Sequence, residues 1–276
     1  MTLRGDLHCH STYSDGTCDL WELALFAQIA KLDVLALSDH DTIAGVQKLR
    51  GLCGEKGIRV LPAMEISCMD YRRGRMVHML CYYPGEKTLE IARQTCAMRT
   101  QKHFDCLKRL QADYPISVEH VLRLQGESVT LYRSHIRRAF EQMGLCMHGD
   151  ADFMRKIFGK DSRYCAPLVF PDVLDVLDAV KEEGSLAVIA HPGEFDSLEL
   201  AAELAALGLL HGLEIYHPRN SEETRREALR ICAQHGLLTT GGTDFHGTNN
   251  ETLNTLGSYL TPEDSLQRIL DHPKAY

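Results

Sequence analysis

The stretch Val34-Leu-Ala-Leu-Ser-Asp-His-Asp41 decides the fold. Four apolar residues in a row suit a strand buried on both faces, and the polar quartet that follows at once carries groups able to hold a cation or move a proton. In α/β barrels the active site is assembled at the carboxyl ends of the strands, where Asp39, His40 and Asp41 fall. Reading outward, a strand is expected over residues 3–8 and a helix over 20–31 on the amino side. A helix over 42–54 and short strands over 59–63 and 76–83 follow on the carboxyl side. Alternating strands and helices imply a mostly parallel sheet.

From residue 88 to 163 the pattern changes. Ile91, Met98, Phe104 and Leu107, then Val118, Val121, Leu122, Ile136, Phe140 and Met143, recur at helical spacing. The barrel rhythm resumes with helices over 172–183, 198–206 and 222–235 and strands over 186–190, 212–216 and 237–240. The expected organisation is one α/β barrel formed by 1–87 and 164–276, interrupted by an inserted helical subdomain at 88–163. A length of 276 residues accommodates this.

The other polar signals fall in register with this scheme. His8 and His10 lie two apart on an extended segment, so both imidazoles share a face, while Cys9 points away. Asp15 sits in a polar loop, Glu65 follows the strand at 59–63, His78 lies in the next strand, and His191 ends the apolar run at 186–190. Asp244 and His246, again two apart, close the series. A mixed set of imidazoles and carboxylates suits Zn, Mn or Fe, whereas Ca and Mg sites ordinarily use oxygen alone. Taken singly, each of these residues is better read as a satisfied core or surface group, the reading that holds for His103, His120, His148, His211, His235 and His272. Nine of them placed together at strand ends are a cluster.

Composition narrows the partners. A net charge of −8 argues against a broad nonspecific nucleic-acid surface, and no apolar run approaches the roughly 20 residues of a membrane span. The amino terminus shows no apolar leader, which points to a cytoplasmic protein. The ten cysteines form no CxxC pair and read as reduced core thiols. No G-x-G-x-x-G or P-loop phrase supports a nucleotide cofactor, and Gly241-Gly242 reads as a tight turn before Asp244.

Asp6-x-His8-x-His10, Asp39-His40-Asp41, Glu65, His78, Ala190-His191-Pro192 and Asp244-x-His246 together resemble the phrases of the polymerase and histidinol phosphatase (PHP) family of metal-dependent phosphoesterases. The resemblance runs from Asp6 to about Gly247. It implies a distorted seven-stranded barrel with two or three divalent metal ions: one on His8, His10, Glu65 and Asp244, a second on Glu65, His78 and His191, a third on Asp15, His40 and His246. Some relatives carry histidine where this chain has Asp15, which shifts the third site toward harder metals such as Mn. The helical insertion and Arg133-Ser134-His135 are similar to a branch acting on nucleoside 3',5'-bisphosphates and on 5' ends of short RNA.

The expected chemistry is hydrolysis of a phosphate monoester of a small nucleotide by a hydroxide shared between cations, with Arg133 and His135 holding phosphate. Asp41 and His217 are both open as the acid that protonates the leaving oxygen, and Asp6 and Asp39 are expected to orient ligating imidazoles. The alternatives are a 5'-3' exonuclease on short RNA or DNA, with Arg99, Lys102, Lys108 and Arg109 as its groove, a histidinol-phosphate-type phosphatase, a metal-dependent amidohydrolase and a non-catalytic interaction module. No membrane or protein partner is expected.

Overall fold

The computed structural model describes residues 2–249 and 254–274. Seven strands hydrogen-bond in chain order: β1 (Gly5–Cys9), β2 (Val34–Leu37), β3 (Arg59–Asp70), β4 (Arg75–Tyr82), β5 (Leu186–Ile189), β6 (Gly212–Tyr216) and β7 (Leu238–Gly241). The sheet nearly closes. Beyond β7, the backbone N–H of Asp244 donates to the His8 carbonyl (2.8 Å) and that of His10 to the Phe245 carbonyl (2.9 Å).

Helices α1 (Leu20–Ile29), α2 (Val46–Gly54), α7 (Val173–Glu183), α8 (Leu198–Ala206) and α9 (Glu222–His235) cover the outside. Strand alternation separates two layers. Val34, Ala36, Leu61, Ala63, Leu80, Tyr82 and Val188 fill the barrel interior, while Leu35, Leu37, Met64, Ile66, Met79 and Ile189 pack outward against helices. Helix α10 (Glu263–Leu270), which the apolar pattern did not announce, plugs the lower end with Leu266, Ile269 and Leu270. Above this apolar plug the inward positions turn polar, which is what makes room for a site.

The sheet departs from the mostly parallel expectation at one place. β4 runs antiparallel to both β3 and β5, because Tyr71–Gly74 is a hairpin turn with no crossover helix. β3 is accordingly far longer than residues 59–63, and Glu65 lies within it instead of beyond its end. In β1 the register slips between Asp6 and Cys9, so Leu7 packs inside whereas Cys9, two residues on, packs in the outer layer. The helix expected from residue 42 begins only at Val46, because Asp41 takes a left-handed φ of 54° and the chain first makes a turn.

Between β4 and α7 lies the helical segment: α3 (Glu86–Leu110), α4 (Val118–Gln125), α5 (Arg133–Gln142) and α6 (Ala151–Phe158). The 25-residue α3 belongs to two cores. Ala92 packs with the barrel's outer layer, while Cys106, Leu107 and Leu110 join Val121, Ile136, Phe140 and Ile157 in a separate cluster. No described helix is long and apolar enough to cross a membrane, and all ten cysteines are free thiols.

Candidate metal centre

Glu65 stands at the centre of the polar layer. Its Oε1 lies 2.8 Å from Nδ1 of His78 and 2.9 Å from Nε2 of His191. Its Oε2 lies 3.4 Å from His8 Nε2, 3.3 Å from His10 Nε2 and 3.0 Å from His40 Nδ1. Asp244 Oδ1 is 3.3 Å from His8 Nε2 and 3.1 Å from His10 Nε2. Neighbouring donors in a coordination sphere with bonds of about 2.1 Å are separated by roughly 3.0–3.4 Å, so these spacings fit a shared cation. His8, His10, Glu65 and Asp244 thus make an inner donor group, essentially closed to solvent.

An outer group is formed by His10, Asp15, His40 and His246, with His246 Nε2 3.3 Å from Asp15 Oδ1. It is more open, since Asp15 keeps 21% of its side-chain exposure and His246 keeps 16%. His40, Glu65 and His78 form a third convergence, with His191 on the far side of Glu65 Oε1. The fold therefore brings together all nine residues proposed as ligands. His78 sits inside its strand because β4 runs the other way: it pairs with Ser67, two residues past Glu65, and so reaches the same level.

The donor set fits cations on independent grounds. His10 Nδ1, Asp15 Oδ1, His40 Nδ1, Glu65 Oε2, His78 Nδ1, His191 Nδ1 and Asp244 Oδ1 are all buried without a hydrogen-bond partner. Such atoms are costly unless something neutralises them. Burial opposes charge on Glu65, yet His78, His40 and His8 outweigh it and hold the carboxyl well below its usual range. For Asp244 burial is likewise overcome by His8 and His246. Both carboxylates are thus ionised and ready to ligate at neutral pH. His246 moves the other way: burial disfavours its charge, but Asp15 and Asp244 push it up to about 10.

The backbone is bent to make this possible. Asp41, His191 and Asp244 all have positive φ, at 54°, 26° and 49°, conformations that non-glycine residues adopt at a cost when a site demands it. Gly242 is needed for close approach instead of a turn: a Cβ there would lie 2.3 Å from the Cβ of His8. Its neighbour Gly241 would likewise meet the Leu260 carbonyl at 2.5 Å.

The supporting residues differ from expectation. Asp6 and Asp39 bind loops, not imidazoles. Asp6 accepts from the Thr243 hydroxyl (2.7 Å) and from the backbone of Thr243 (3.0 Å) and Gly257 (2.8 Å), and Asp39 accepts from the hydroxyls of Ser11 (2.6 Å) and Ser14 (2.5 Å). The carboxylate that orients an imidazole is Glu214, whose Oε1 accepts from His8 Nδ1 at 2.9 Å. The sequence held a signal for it, since Glu214 is the one inward position between outward-packed Leu213 and Ile215 in β6.

Both candidate acids are placed in ways that argue against proton donation. Asp41 is buried with Oδ2 2.7 Å from Arg99 Nη1 and Oδ1 accepting from the Ser67 backbone at 3.1 Å. Both of its oxygens are thus committed as acceptors away from the cluster. Nδ1 of His217 accepts from the Arg219 backbone N–H (3.1 Å), which places the ring proton on Nε2, 3.5 Å from Asp244 Oδ2. A second proton on Nδ1 would face that N–H, so His217 is suited to a fixed donor and is not a cation ligand, although His8, Glu214 and His217 also converge.

Arg133 is exposed in the first turn of α5 and makes no hydrogen bond or ion pair with a described residue. His135 is buried with Nδ1 accepting from the Tyr132 backbone N–H (3.1 Å), and burial pulls its pKa down to about 4. It serves the start of its own helix, and its burial does not suit a phosphate ligand. Arg99, considered for a nucleic-acid groove, is buried on Asp41 and Ser67.

With this geometry established, similarity to known proteins becomes informative. The PHP domain family description matches residues 6–165. Over 246 residues, 88% of this chain and 94% of the relative, the sequence is 31% identical to a phosphoribosyl 1,2-cyclic phosphate 1,2-diphosphodiesterase of Eggerthella lenta. It is 28% identical to a 5'-3' exoribonuclease of Haemophilus influenzae over 253 residues, 89% of this chain and 91% of that one. The fold matches a crystal structure from Bifidobacterium adolescentis, described as a candidate metal-dependent phosphoesterase, with a TM-score of 0.86 and 33% identity, covering 96% and 95% of the two chains.

Proposed function

Because the chain belongs to the PHP-domain family of metal-dependent phosphoesterases, we propose that it hydrolyses phosphate monoesters of small ribose-bearing nucleotides, nucleoside 3',5'-bisphosphates foremost. The observation that carries this is the double engagement of Glu65. One oxygen faces His78 and His191 and the other faces His8, His10 and His40, so Glu65 has a donor for each of two neighbouring groups. Two or three divalent ions (Mn, Fe or Zn), held by these residues, would supply neutral-pH water activation and neutralise phosphoryl oxygens.

The chain's own residues account for the rest. Arg133, exposed in the first turn of α5 and with no hydrogen bond or ion pair to a described residue, would take a phosphate by a planar fork. Nε2 of His217, buried without a hydrogen-bond partner 3.5 Å from Asp244 Oδ2, would donate to a substrate oxygen on that side of the cluster. Asp41 fixes Arg99, and Glu214 fixes His8.

A second reading has a specific observation behind it. The Eggerthella lenta relative is named for a cyclic phosphodiester of phosphoribose, so the same centre would open a cyclic ester. The deciding experiment offers the Mn-loaded protein nucleoside 3',5'-bisphosphates, phosphoribosyl 1,2-cyclic phosphate and 5'-phosphorylated oligoribonucleotides, and follows phosphate release or ring opening. Turnover of the bisphosphates above the others supports the first reading, ring opening the second, and stepwise oligomer shortening the exonuclease. A metal-loaded protein inert toward all three would overturn the proposal.

A further inference from the structure

The inner and outer donor groups are supported by different parts of the chain. Among the described residues, the hydrogen bonds and ion pairs of the His8, Glu65 and Asp244 side chains run to residues of the barrel: His10, His40, His78, His191, Glu214, His217 and His246. The outer group is gripped from the helical segment at each of three loops. The Tyr132 hydroxyl donates to the His40 carbonyl at 2.9 Å. The Ser14 backbone, next to Asp15, opposes the pull of burial on the His135 ring. Arg137 Nη2 donates to Asn249 Oδ1 at 2.7 Å, and Asn249 Nδ2 in turn donates to the Asp15 carbonyl at 2.7 Å, three residues beyond His246 in the same loop.

These three residues occupy the N-cap and first turns of one helix, α5, so they move as a unit. Arg99 stacks on the Tyr132 ring at 4.9 Å from its centroid and links the assembly to α3. Arg137 is further braced by Glu141 and by His148 Nδ1 at 2.8 Å. Apart from the buried His10, the outer donors Asp15, His40 and His246 lie in loops and retain solvent exposure, so packing alone fixes them less firmly than the buried inner donors. Contacts of this kind commonly govern metal affinity.

We infer that Tyr132 and Arg137 are positioning residues for the outer donor group: the docked α5 helix sets the geometry of Asp15, His40 and His246 and thereby that group's affinity for a divalent cation. The inference rests on the reading of the centre as metal-binding. Asp15 and His246 belong to the outer group alone, whereas His10 and His40 are shared, so whatever displaces α5 loosens the outer cation most.

The test is Mn titration of the full-length protein with bound metal counted after dialysis, comparing wild type, Tyr132→Phe, Arg137→Ala and Asn249→Ala. Tyr132→Phe removes one hydroxyl and Asn249→Ala one amide, so both are expected to fold, which thermal melting of the metal-free proteins checks. The expected result is a roughly 10-fold or greater weakening of the loosest cation, with tighter sites unchanged. Unaltered affinity at every site in all three variants overturns the inference, as does equal weakening of all sites. A wild type that binds no Mn, Zn or Fe defeats the metal reading itself, a different outcome from either.

Discussion

Glu214 receives two hydrogen bonds at once: His8 Nδ1–H on Oε1 and the backbone N–H of His191 on Oε2, each at 2.9 Å. A carboxylate only accepts, so His8 carries a proton on Nδ1, which leaves Nε2, on the side of Glu65 and Asp244, as the nitrogen that would ligate a cation. One side chain thereby orients the ring of His8 and holds the backbone of His191, whose φ is 26°.

Glu214→Gln keeps the shape but offers one acceptor where two donors arrive. Metal affinity is expected to fall about 10- to 100-fold while the far-UV spectrum stays that of wild type. Competition against a calibrated chelator measures this. A variant binding as tightly as wild type would show that His8 is held by packing alone.

His217 and Asp41 are separable by pH. An acid catalyst leaves its mark on the alkaline limb of the rate profile, whereas a fixed donor scales the rate at every pH. His217→Asn is expected to lower kcat on the order of a hundredfold or less, with the shape of the profile preserved. Asp41→Asn strands Arg99 in a buried position and is expected to destabilise the fold by roughly 3 kcal/mol. Disappearance of the alkaline limb in His217→Asn would restore it as the proton donor.

The converging donors were legible in the sequence because period-two alternation and strand-end placement are local properties. His8 with His10, and Asp244 with His246, declare themselves by spacing alone. What surrounds them depends on contacts far apart in the chain. His8 and Glu214, 206 positions apart, carry no hint of their hydrogen bond, and the antiparallel turn of β4 followed from the short link at Tyr71–Gly74, which the βαβ rhythm overrode. His135 looked like a phosphate ligand beside Arg133, yet three helix positions decide its fate: a residue two past an exposed one turns inward on the α5 face.

Gly242 tests how tightly the barrel closes. With β7 and β1 in contact, a methyl group at residue 242 would collide with the Cβ and backbone N of His8 at 2.3 and 2.6 Å. Neither atom can swing away, so the two segments must separate and carry His8 and Asp244 apart. Gly242→Ala is expected to lose at least 1–3 kcal/mol of stability, read from urea unfolding, together with inner-group metal binding. A variant with wild-type stability would mean that the closure is looser than these contacts show.

The helical segment has an acid sensitivity of its own. His103 is buried on α3, where Nδ1 donates to the Leu131 carbonyl at 2.5 Å, and burial pulls its pKa from the ordinary 6.5 to about 3. Between these two values the unfolded chain binds a proton that the folded chain refuses, so stability contributed by the neutral ring is complete above about 6.5 and lost as pH falls through about 3. The slope approaches one proton, about 1.4 kcal/mol per pH unit. His103→Asn keeps a donor for Leu131 and removes the titration. Its stability should therefore be lower than wild type at pH 7 but fall less steeply toward pH 4, the two urea-midpoint curves converging. Parallel curves would show that His103 charges without cost, with water reaching the ring in the folded state.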